Sequence, residues 1–250
     1  MNVNVNNLKK LLGKATLNNS IETVQLSFDD VGKVSSKMIS GNRDAVVLLN
    51  IDNDVITGMK KPVEMNFRET NKDFIPFLNL INEEEAKMQI KDEKLIISNG
   101  KQKSNIHFCA PQVVSVFEGE MDANMETFYS SVISEDFVDS FIRIKKVGSR
   151  FGFVYFIVDN KTLYIETTDK SNKFSNGLRI ELQTKVKSED ISLCFDYKNF
   201  SNLMSIVNGD FEKFRISLYF VESHNAGLLK MEKMEDKSEV YYLMSIIEEG

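Results

Sequence analysis

Cysteine and histidine are scarce in this chain of 250 residues, which contains two of each. Cys109, Cys194, His107 and His224 are too few for the ligand sets that hold structural zinc. Neither histidine has an Asp, Ser or Cys at the spacing of a nucleophile and its base, and the chain has no phosphate-binding glycine loop. The sequence therefore predicts no metal, no cofactor and no enzymatic activity.

Long apolar runs are also absent. No window approaches the 18 consecutive apolar residues that indicate a transmembrane helix. The first residues lack the basic stretch and the apolar core of a secretory signal. With 42% hydrophobic and 27% charged residues, the composition is that of an ordinary globular protein. We expect a cytoplasmic protein that makes no membrane contact.

The sequence contains instead many short alternating or β-branched runs. Such runs predict strands, because alternation places every second side chain on the same face of a sheet. Turn-forming pairs such as Asn99-Gly100 and Asn176-Gly177 lie between the runs. The predicted strands include residues 23–28, 33–39, 45–51, 94–98, 151–158, 162–167, 178–184, 214–221 and 240–247. Short strands joined by tight turns predict a mostly antiparallel sheet.

Four dispersed segments have the apolar spacing of amphipathic helices. Their apolar stripes are Leu8, Leu11, Leu12 and Ala15; Phe74, Phe77, Leu78 and Ile81; Phe137, Phe141 and Ile144; and Phe200, Leu203, Met204 and Val207. Pro76 fits the second helix if Asp73 or a neighbour caps it, because a proline in the first turn needs no N–H. The sequence thus predicts an α+β protein with four helices.

The second and fourth of these segments belong to an internal repeat. Residues 74–90 align without a gap with residues 200–216, an offset of 126 positions, and apolar residues match apolar residues. Nearly the same offset relates the first helix to the third. Because the offset is about half of the chain length, we predict two domains of one plan, residues 1–112 and 129–250. Residues 113–128 form the predicted connector.

Basic charge is concentrated in the four helical segments. The chain has 31 basic and 37 acidic side chains, a net charge of −6. Residues 6–16, 70–82, 136–150 and 197–208 together carry +6, so the remainder carries −12. Cations on helix faces, without aromatic or amide clusters to contact base edges, indicate binding to phosphate rather than to particular bases. These residues predict non-specific binding of duplex DNA.

A second class of function stays open from the residues alone. Lysines on the polar side of an amphipathic helix are often simply solvated. The chain would then be a duplicated sheet-domain protein with a structural or ligand-binding role and no DNA function. Replacing the helix cations separates these hypotheses, because only the first predicts that a DNA-dependent activity is lost while the fold persists.

Over its whole length the chain resembles the sliding clamps, the processivity factors of DNA polymerases. The resemblance is to the two-domain type found in bacteriophages and as proliferating-cell nuclear antigen (PCNA). It is carried by the repeat, by the sequence FDYKNF at residues 195–200, and by the tyrosine-rich ending YYLMSI at residues 241–246. The helix close to Met1 resembles the clamps of T-even phages most, and a phage-encoded clamp would act in the host cytoplasm.

This resemblance implies a DNA clamp fold in which each domain has antiparallel sheet and two helices. Three identical subunits would form a six-domain ring that encircles duplex DNA and tethers the replicative polymerase. Residues 105–110 of one subunit would contact residues 178–184 of the next. The implied partners are the DNA polymerase, a clamp loader, and transcription or repair factors.

The resemblance also implies two sets of site residues. Cations on the segments that match the pore-lining helices would contact DNA, namely Lys9, Lys10, Lys14, Lys72, Arg143, Lys145, Lys146, Arg150 and Lys198. A pocket for a partner's peptide would lie between the connector and the tail, with Val114, Val116, Tyr242, Leu243 and Met244. No catalytic residue is implied.

Overall fold

The computed structural model of the chain describes all residues except 120, 122–124, 171, 173–174, 187, 189, 222–225 and 247–250, and the side chain of residue 71. The chain divides into two compact units, residues 1–118 (unit 1) and residues 119–250 (unit 2). This boundary lies inside the predicted connector. The first strand of unit 2 begins at Glu126.

Unit 1 consists of two antiparallel sheets and two helices. Its strands are β1 (Asn2–Asn4), β2 (Thr23–Phe28), β3 (Lys33–Ile39), β4 (Ala45–Asp52), β5 (Ile56–Thr57), β6 (Val63–Arg68), β7 (Glu85–Lys91), β8 (Lys94–Ser98) and β9 (Lys103–His107). Its helices are α1 (Val5–Ala15) and α2 (Ile75–Asn79). Within this unit the strand orders are β4-β3-β2-β6 and β5-β1-β7-β8-β9.

Unit 2 repeats this plan. Its strands are β10 (Glu126–Val132), β11 (Phe153–Asp159), β12 (Thr162–Thr167), β13 (Leu178–Thr184), β14 (Ile191–Asp196), β15 (Phe214–Val221), β16 (Ala226–Lys233) and β17 (Glu239–Met244). Its helices are α3 (Glu135–Gly148) and α4 (Tyr197–Val207). The strand orders are β13-β12-β11-β14 and β10-β15-β16-β17, which match those of unit 1 apart from the extra β5. The predicted α+β fold of two repeated sheet domains with two helices each is confirmed.

Three of the helices begin at side-chain caps. The Asn4 side chain accepts a hydrogen bond from the Asn7 backbone N–H (2.9 Å), Ser134 Oγ from Phe137 (3.2 Å), and Asp196 Oδ1 from Asn199 (2.8 Å). Such caps satisfy N–H groups that have no partner inside the helix. Each of these helices buries the apolar stripe that was predicted for it. The sequence pattern therefore placed α1, α3 and α4 correctly.

The second helix differs from the prediction. Residues 70–74 form a π-helical turn, and α2 proper has five residues. Pro76 lies in its first turn as expected, but no side chain, including that of Asp73, caps α2. Phe74, Leu78 and Ile81 are buried, whereas Phe77 is 43% exposed. Because Leu78 faces the core and successive helical residues are about 100° apart, Phe77 turns away from it.

Aromatic rings link the helices to the sheets in both units. In unit 1 the Phe67 ring lies 4.6 Å from that of Phe74 and 5.4 Å from that of Phe108. In unit 2 the Phe200 ring lies 5.6 Å from Phe141 and 5.7 Å from Phe156. Such pairs contribute about 1 kcal/mol each beyond the burial of their area. No helix in the described part of the chain is long and apolar enough to span a membrane.

Candidate nucleic-acid interface

The cations of α1 lie away from the buried stripe of that helix. Lys10 is exposed, and Lys9 and Lys14 are half-buried. On an ideal helix Lys10 and Lys14 project roughly opposite the core, whereas Lys9 lies on the flank. All three charges therefore come from the surface of α1 that does not pack on the sheets.

Helix α3 has acidic residues in its first half and basic residues in its second half. Glu135 and Asp136 are in the first turn, where carboxylates interact favourably with the helix dipole. Arg143, Lys146 and Arg150 are exposed, and their spacing of three and four residues places them on one face of the helix or its immediate extension. Lys145 is exposed as well, but it points to a flank of α3. The strongest local concentration of positive charge is thus at the C-terminal end of α3.

The start of α4 packs against this end of α3. The Tyr197 hydroxyl donates a hydrogen bond to the Lys145 carbonyl oxygen (3.2 Å). The ring of Tyr197 lies so close to Gly148 that a Cβ there would be 2.5 Å from Tyr197 Cε2. Only a glycine allows this approach, because real Cβ contacts are longer. Gly148 therefore lets the two helix ends meet.

A shallow groove of about 360 Å³ runs between these two helix ends. Its walls are Ser149, Gly152, Asp196, Tyr197, Lys198, Ser201 and Asn202. Lys198 is exposed at the rim, and Lys146 and Arg150 are close to Ser149 in sequence. Sequence reasoning missed the polar side chains of this groove, because no spacing pattern indicates that Ser149 and Ser201 line the same cleft. The groove offers hydroxyl and amide groups beside cations, a combination suited to phosphate oxygens.

Lys72 and Lys198 occupy equivalent positions in the repeat but have different surroundings. Lys198 is the second residue of α4. Lys72 is in the π-helical turn before α2, where its Nζ lies 3.9 Å from Glu69 Oε1. This ion pair is exposed and weak, but it reduces the net charge near Lys72. Within the described residues, no carboxylate lies within salt-bridge distance of Lys10, Lys146 or Arg150.

The residues expected to form a partner pocket are mostly buried. In unit 1, Val114 is buried, and Val116 is half-buried and forms an antiparallel bridge with Met38 of β3. The bridge is extended by hydrogen bonds from the Ile39 N–H to the Ser115 oxygen (3.1 Å) and from the Phe117 N–H to the Lys37 oxygen (2.9 Å). The segment around Val116 thus pairs with residues 37–39 of β3, beyond the residues of β3 that pair with β2.

In unit 2, the other three pocket residues lie on β17. Tyr242 and Leu243 are buried, and Met244 is half-buried. Tyr242 pairs with Lys230 of β16, whose Nζ lies 5.8 Å from the centre of the Tyr242 ring. The chain continues to an antiparallel bridge between Ile246 and Cys194, and residues 247–250 of the predicted tail lie outside the described residues. Tyr242 and Leu243 could supply only the floor of a pocket.

The tyrosine next to these residues has a strongly perturbed pKa. Burial raises the pKa of the Tyr241 hydroxyl well above its usual value, and the negative charge of Glu239 raises it further. The hydroxyl donates a hydrogen bond to Glu239 Oε2 (2.9 Å) inside the core. Because the tyrosine stays protonated at any physiological pH, its hydroxyl keeps the proton that it donates to Glu239.

No family model matches the sequence, and neither does any curated protein. Among solved structures, the chain is similar to A. fulgidus PCNA, which was solved with the C-terminal region of FEN-1 bound to it, with a TM-score of 0.65 and 12% identity. That match covers 100% of this chain and 98% of the other.

The beta subunit of DNA polymerase III from Pseudomonas aeruginosa matches with a TM-score of 0.65 and 10% identity over 99% of this chain and 66% of that one. The beta chain from Streptococcus pneumoniae TIGR4 matches with the same score and identity over 100% and 65%. The chain thus spans about two thirds of the length of either beta chain. At these identities the likeness concerns the fold, and from it we conclude that this chain has the fold of the sliding clamps.

Proposed function

We propose that this protein is a sliding clamp, a non-enzymatic ring of three identical subunits that encircles duplex DNA and tethers the replicative DNA polymerase. The observation that carries the proposal is the pairing of a clamp fold over the full chain with cations on the free surfaces of α1, α3 and α4. In a protein of net charge −6, this segregation leaves the sheets and loops strongly acidic. An acidic exterior repels stray DNA, whereas a basic lining tolerates phosphate.

The DNA contacts would be made by the nine predicted cations and would not depend on base sequence. Lysine and arginine contacts with phosphate are electrostatic and weaken as salt rises. Weak contacts of this kind permit sliding, so processivity comes from the closed ring rather than from affinity. We expect the exposed cations on the outward helix faces, such as Lys10, Lys146 and Arg150, to contribute most, because they are accessible and no carboxylate within the described residues lies at salt-bridge distance from them. We expect Lys72 to contribute least, because Glu69 is beside it.

The proposed partners are a DNA polymerase, a clamp loader, and transcription or repair factors. The solved complex of the similar PCNA with a FEN-1 C-terminal region supports a peptide-docking mode. In this chain the docking surface would include Val114 and Val116 near the connector and Tyr242, Leu243 and Met244 on β17. The closer relation to T-even phage clamps, and with it action in the cytoplasm of a bacterial host, is part of the same proposal.

Charge removal at matched positions tests the proposed DNA contacts. The variant Lys10→Ala/Lys146→Ala/Arg150→Ala removes three helix cations, and Lys87→Ala/Lys101→Ala/Lys161→Ala removes three exposed lysines outside the helices. We expect the helix variant to lose at least about tenfold in its stimulation of DNA synthesis by the polymerase of the same organism on a primed circular template. The control variant keeps its stimulation, and both variants keep the wild-type melting temperature, because all six side chains are exposed.

Three results would contradict the proposal. Full stimulation by the helix variant would show that these cations do not contact DNA. Equal losses in both variants would show that net charge matters and the helix position does not. A wild-type protein that neither assembles nor stimulates synthesis would favour the alternative of a duplicated sheet protein without DNA function.

A further inference from the structure

One corner of the repeated plan has opposite charge in the two units. The unit 1 corner is the β2–β3 turn and the end of β4, residues 29–33 and 52–54, with four acidic residues and one basic residue. The unit 2 corner is the β11–β12 turn and the end of β13, residues 159–162 and 184–186, with one acidic residue and two basic residues. The net charge therefore changes from −3 to +1 between equivalent places.

The cross-strand pair at each corner shows how the two copies differ. In unit 1, Lys33 pairs with Asp52, and Lys33 Nζ lies 2.6 Å from Asp52 Oδ1. In unit 2, the pair at the same place is Thr162 and Thr184. Two hydroxyl groups thus replace an ion pair, and the charge of the unit 2 corner comes from other residues.

Those residues are two lysines with left-handed backbone. The Asn53 N–H donates to the Gly32 oxygen (2.8 Å) in unit 1, and the Val186 N–H donates to the Lys161 oxygen (2.9 Å) in unit 2. Lys161, with a φ of 61°, therefore stands where unit 1 has Gly32, with a φ of 86°. Lys185 has a φ of 62°. Because this region favours glycine, lysine is present at both positions against the preference of the backbone.

A cleft of about 640 Å³ opens at the unit 2 corner and is lined by residues 160–162 and 184–186 and by Ser188. These residues supply two ammonium groups, three hydroxyl groups and one side-chain amide, and no carboxylate. The volume lies in the range of about 300–1,000 Å³ that is typical of small-ligand sites. Within the described residues, no carboxylate lies at salt-bridge distance from Lys161 or Lys185.

The two carboxylates beside the cleft have partners of their own. Asp159 Oδ2 accepts a hydrogen bond from Arg179 Nη2 (3.0 Å), and Asp159 Oδ1 accepts one from Asn160 Nδ2 (2.9 Å). Asp190 Oδ1 accepts from the Asn160 backbone N–H (3.1 Å). Neither carboxylate is among the residues that line the cleft. The lysine charges are therefore available to a ligand.

We propose that this cleft binds a small ligand that carries two or more phosphate groups. Ammonium, hydroxyl and amide groups are the donors that phosphate oxygens accept from in proteins. One lysine is in the β11–β12 turn and the other follows β13, so the two cations come from different elements and suit more than one phosphate. The described lining includes no aromatic ring on which a base could stack. Recognition depends on the phosphates and not on a nucleoside base.

The cleft is separate from the proposed DNA contacts and does not depend on the proposed ring. Lys161 and Lys185 lie outside the four helices. Of the lining residues, only Thr184 belongs to residues 178–184, which the family resemblance places against a next subunit. Binding can therefore be measured on the purified protein without DNA or partner proteins.

Isothermal titration calorimetry with pyrophosphate at a fixed, low ionic strength tests the cleft. We expect saturable binding to the wild type and at least about tenfold weaker binding to Lys161→Asn/Lys185→Asn, which lacks both cations. Asparagine tolerates left-handed backbone, so this variant keeps the turn. The matched control Lys60→Asn/Lys61→Asn removes two exposed lysines of unit 1 and leaves the affinity unchanged. Melting temperatures check that both variants fold.

Two further measurements distinguish a built site from loose attraction to lysine. The variant Thr162→Val/Thr184→Val keeps both cations and removes two hydroxyl groups, and we expect its affinity for pyrophosphate to fall about threefold or more. Titrations of the wild type with ATP and GTP should give similar affinities, whereas adenosine should not bind.

Several results would overturn the inference. These are a wild type that does not bind pyrophosphate, an unchanged affinity in Lys161→Asn/Lys185→Asn, an equal loss in the Lys60→Asn/Lys61→Asn control, and equal affinities for adenosine and ATP. None of them bears on the proposed function. We expect Lys161→Asn/Lys185→Asn to stimulate DNA synthesis as the wild type does, and a parallel loss of stimulation would assign the two lysines to DNA instead.

Discussion

Units 1 and 2 have the same strand order, yet they join their second helix to the preceding strand in different ways. In unit 2, β14 ends at Asp196 and α4 begins at the next residue, with Asp196 as its cap. In unit 1, β6 ends at Arg68, Glu69 adopts a positive φ of 48°, and a π-helical turn precedes the short α2. In unit 2 the direct connection is followed by a helix of 11 residues that turns its apolar stripe to the core. In unit 1 the longer connection is followed by a helix of only five residues, in which Phe77 is exposed.

This difference shows how a duplicated plan can produce two kinds of surface. α4 buries its apolar stripe, and the basic and polar residues at its start join the end of α3. α2 has little charge and exposes Phe77 and Leu80. If the proposed function is right, the DNA contacts of unit 1 would come mainly from α1 and those of unit 2 from both helices.

The largest difference in stability that we expect is between two glycine-to-alanine variants, one in α3 and one in α1. Gly148→Ala places a Cβ against the Tyr197 ring, which is held by its hydrogen bond to the Lys145 oxygen. We expect about 2 kcal/mol of destabilisation, the usual cost of overpacking. In Gly13→Ala the new Cβ meets only the end of the Asn18 side chain at 3.0 Å, and alanine favours the helix.

Urea unfolding of the two alanine variants measures this difference. The Gly13→Ala variant should stay within about 0.5 kcal/mol of the wild type. Equal free energies of unfolding for both variants would mean that α4 can move away from α3 without cost, and the groove between them would not be a rigid site.

A smaller effect distinguishes the helix cap of α4 from the uncapped start of α2. Asp196→Ala removes the acceptor of the Asn199 N–H and should lower the free energy of unfolding by about 1 kcal/mol. Asp73→Ala should change it by less than about 0.5 kcal/mol, because α2 has no side-chain cap. The midpoints of urea unfolding give both values. A comparable loss in Asp73→Ala would indicate that unit 1 uses a cap after all.

The smallest effect is a pH dependence that we expect from the β16–β17 turn of unit 2 and not from the equivalent turn of unit 1. In the β16–β17 turn, hydrogen bonds from Ser238 lower the pKa of Asp236, and the Lys233 charge lowers it further. The equivalent β8–β9 turn uses Asn99, whose Oδ1 accepts from the Gln102 N–H (2.8 Å) and does not titrate. A lowered pKa stabilises the fold above the usual pKa of the carboxyl, and this stability is lost as the pH falls through the folded-state pKa.

Asp236→Asn should therefore remove a small part of the loss of stability in acid, about 0.5 kcal/mol or less for a group this exposed. Unfolding midpoints measured from about pH 6 down to about pH 2 show the difference between wild type and variant. Asn99→Asp is the converse variant, and we expect it to add acid sensitivity to the turn in unit 1. Parallel pH profiles for wild type and Asp236→Asn would contradict this account.

Much of the fold follows from local patterns. Short alternating or β-branched runs predicted β2, β3, β12, β13 and β15 with the bounds found in the structure, because residues of these types in such runs are typical of strands. The apolar stripes of α1, α3 and α4 were also predicted correctly from the sequence. The stripe of α2 was not, because the π-helical turn changes the direction in which the following side chains point, and no residue type indicates such a turn.

The candidate site was predictable in part. The basic residues of the helices can be recognised in the sequence. A cation on the side of a helix opposite its apolar stripe stays exposed whichever sheet the stripe packs against. The groove beside Tyr197 and the burial of Val114 and Tyr242 were not visible, because they depend on which elements pack together. A residue such as Val116 is apolar in sequence whether it lines a pocket or pairs with β3.

The sequence by itself determined the duplication, the antiparallel strands, three of the four helices and the segregation of charge. Each of these features appears in the sequence as a periodic or repeated pattern of residue types or as a local excess of charge. Only the tertiary structure decided that Gly148 admits the Tyr197 ring and that Phe77 is exposed whereas Leu203 is buried. The physical reason is that burial and close approach depend on residues distant in sequence, and no local pattern records them.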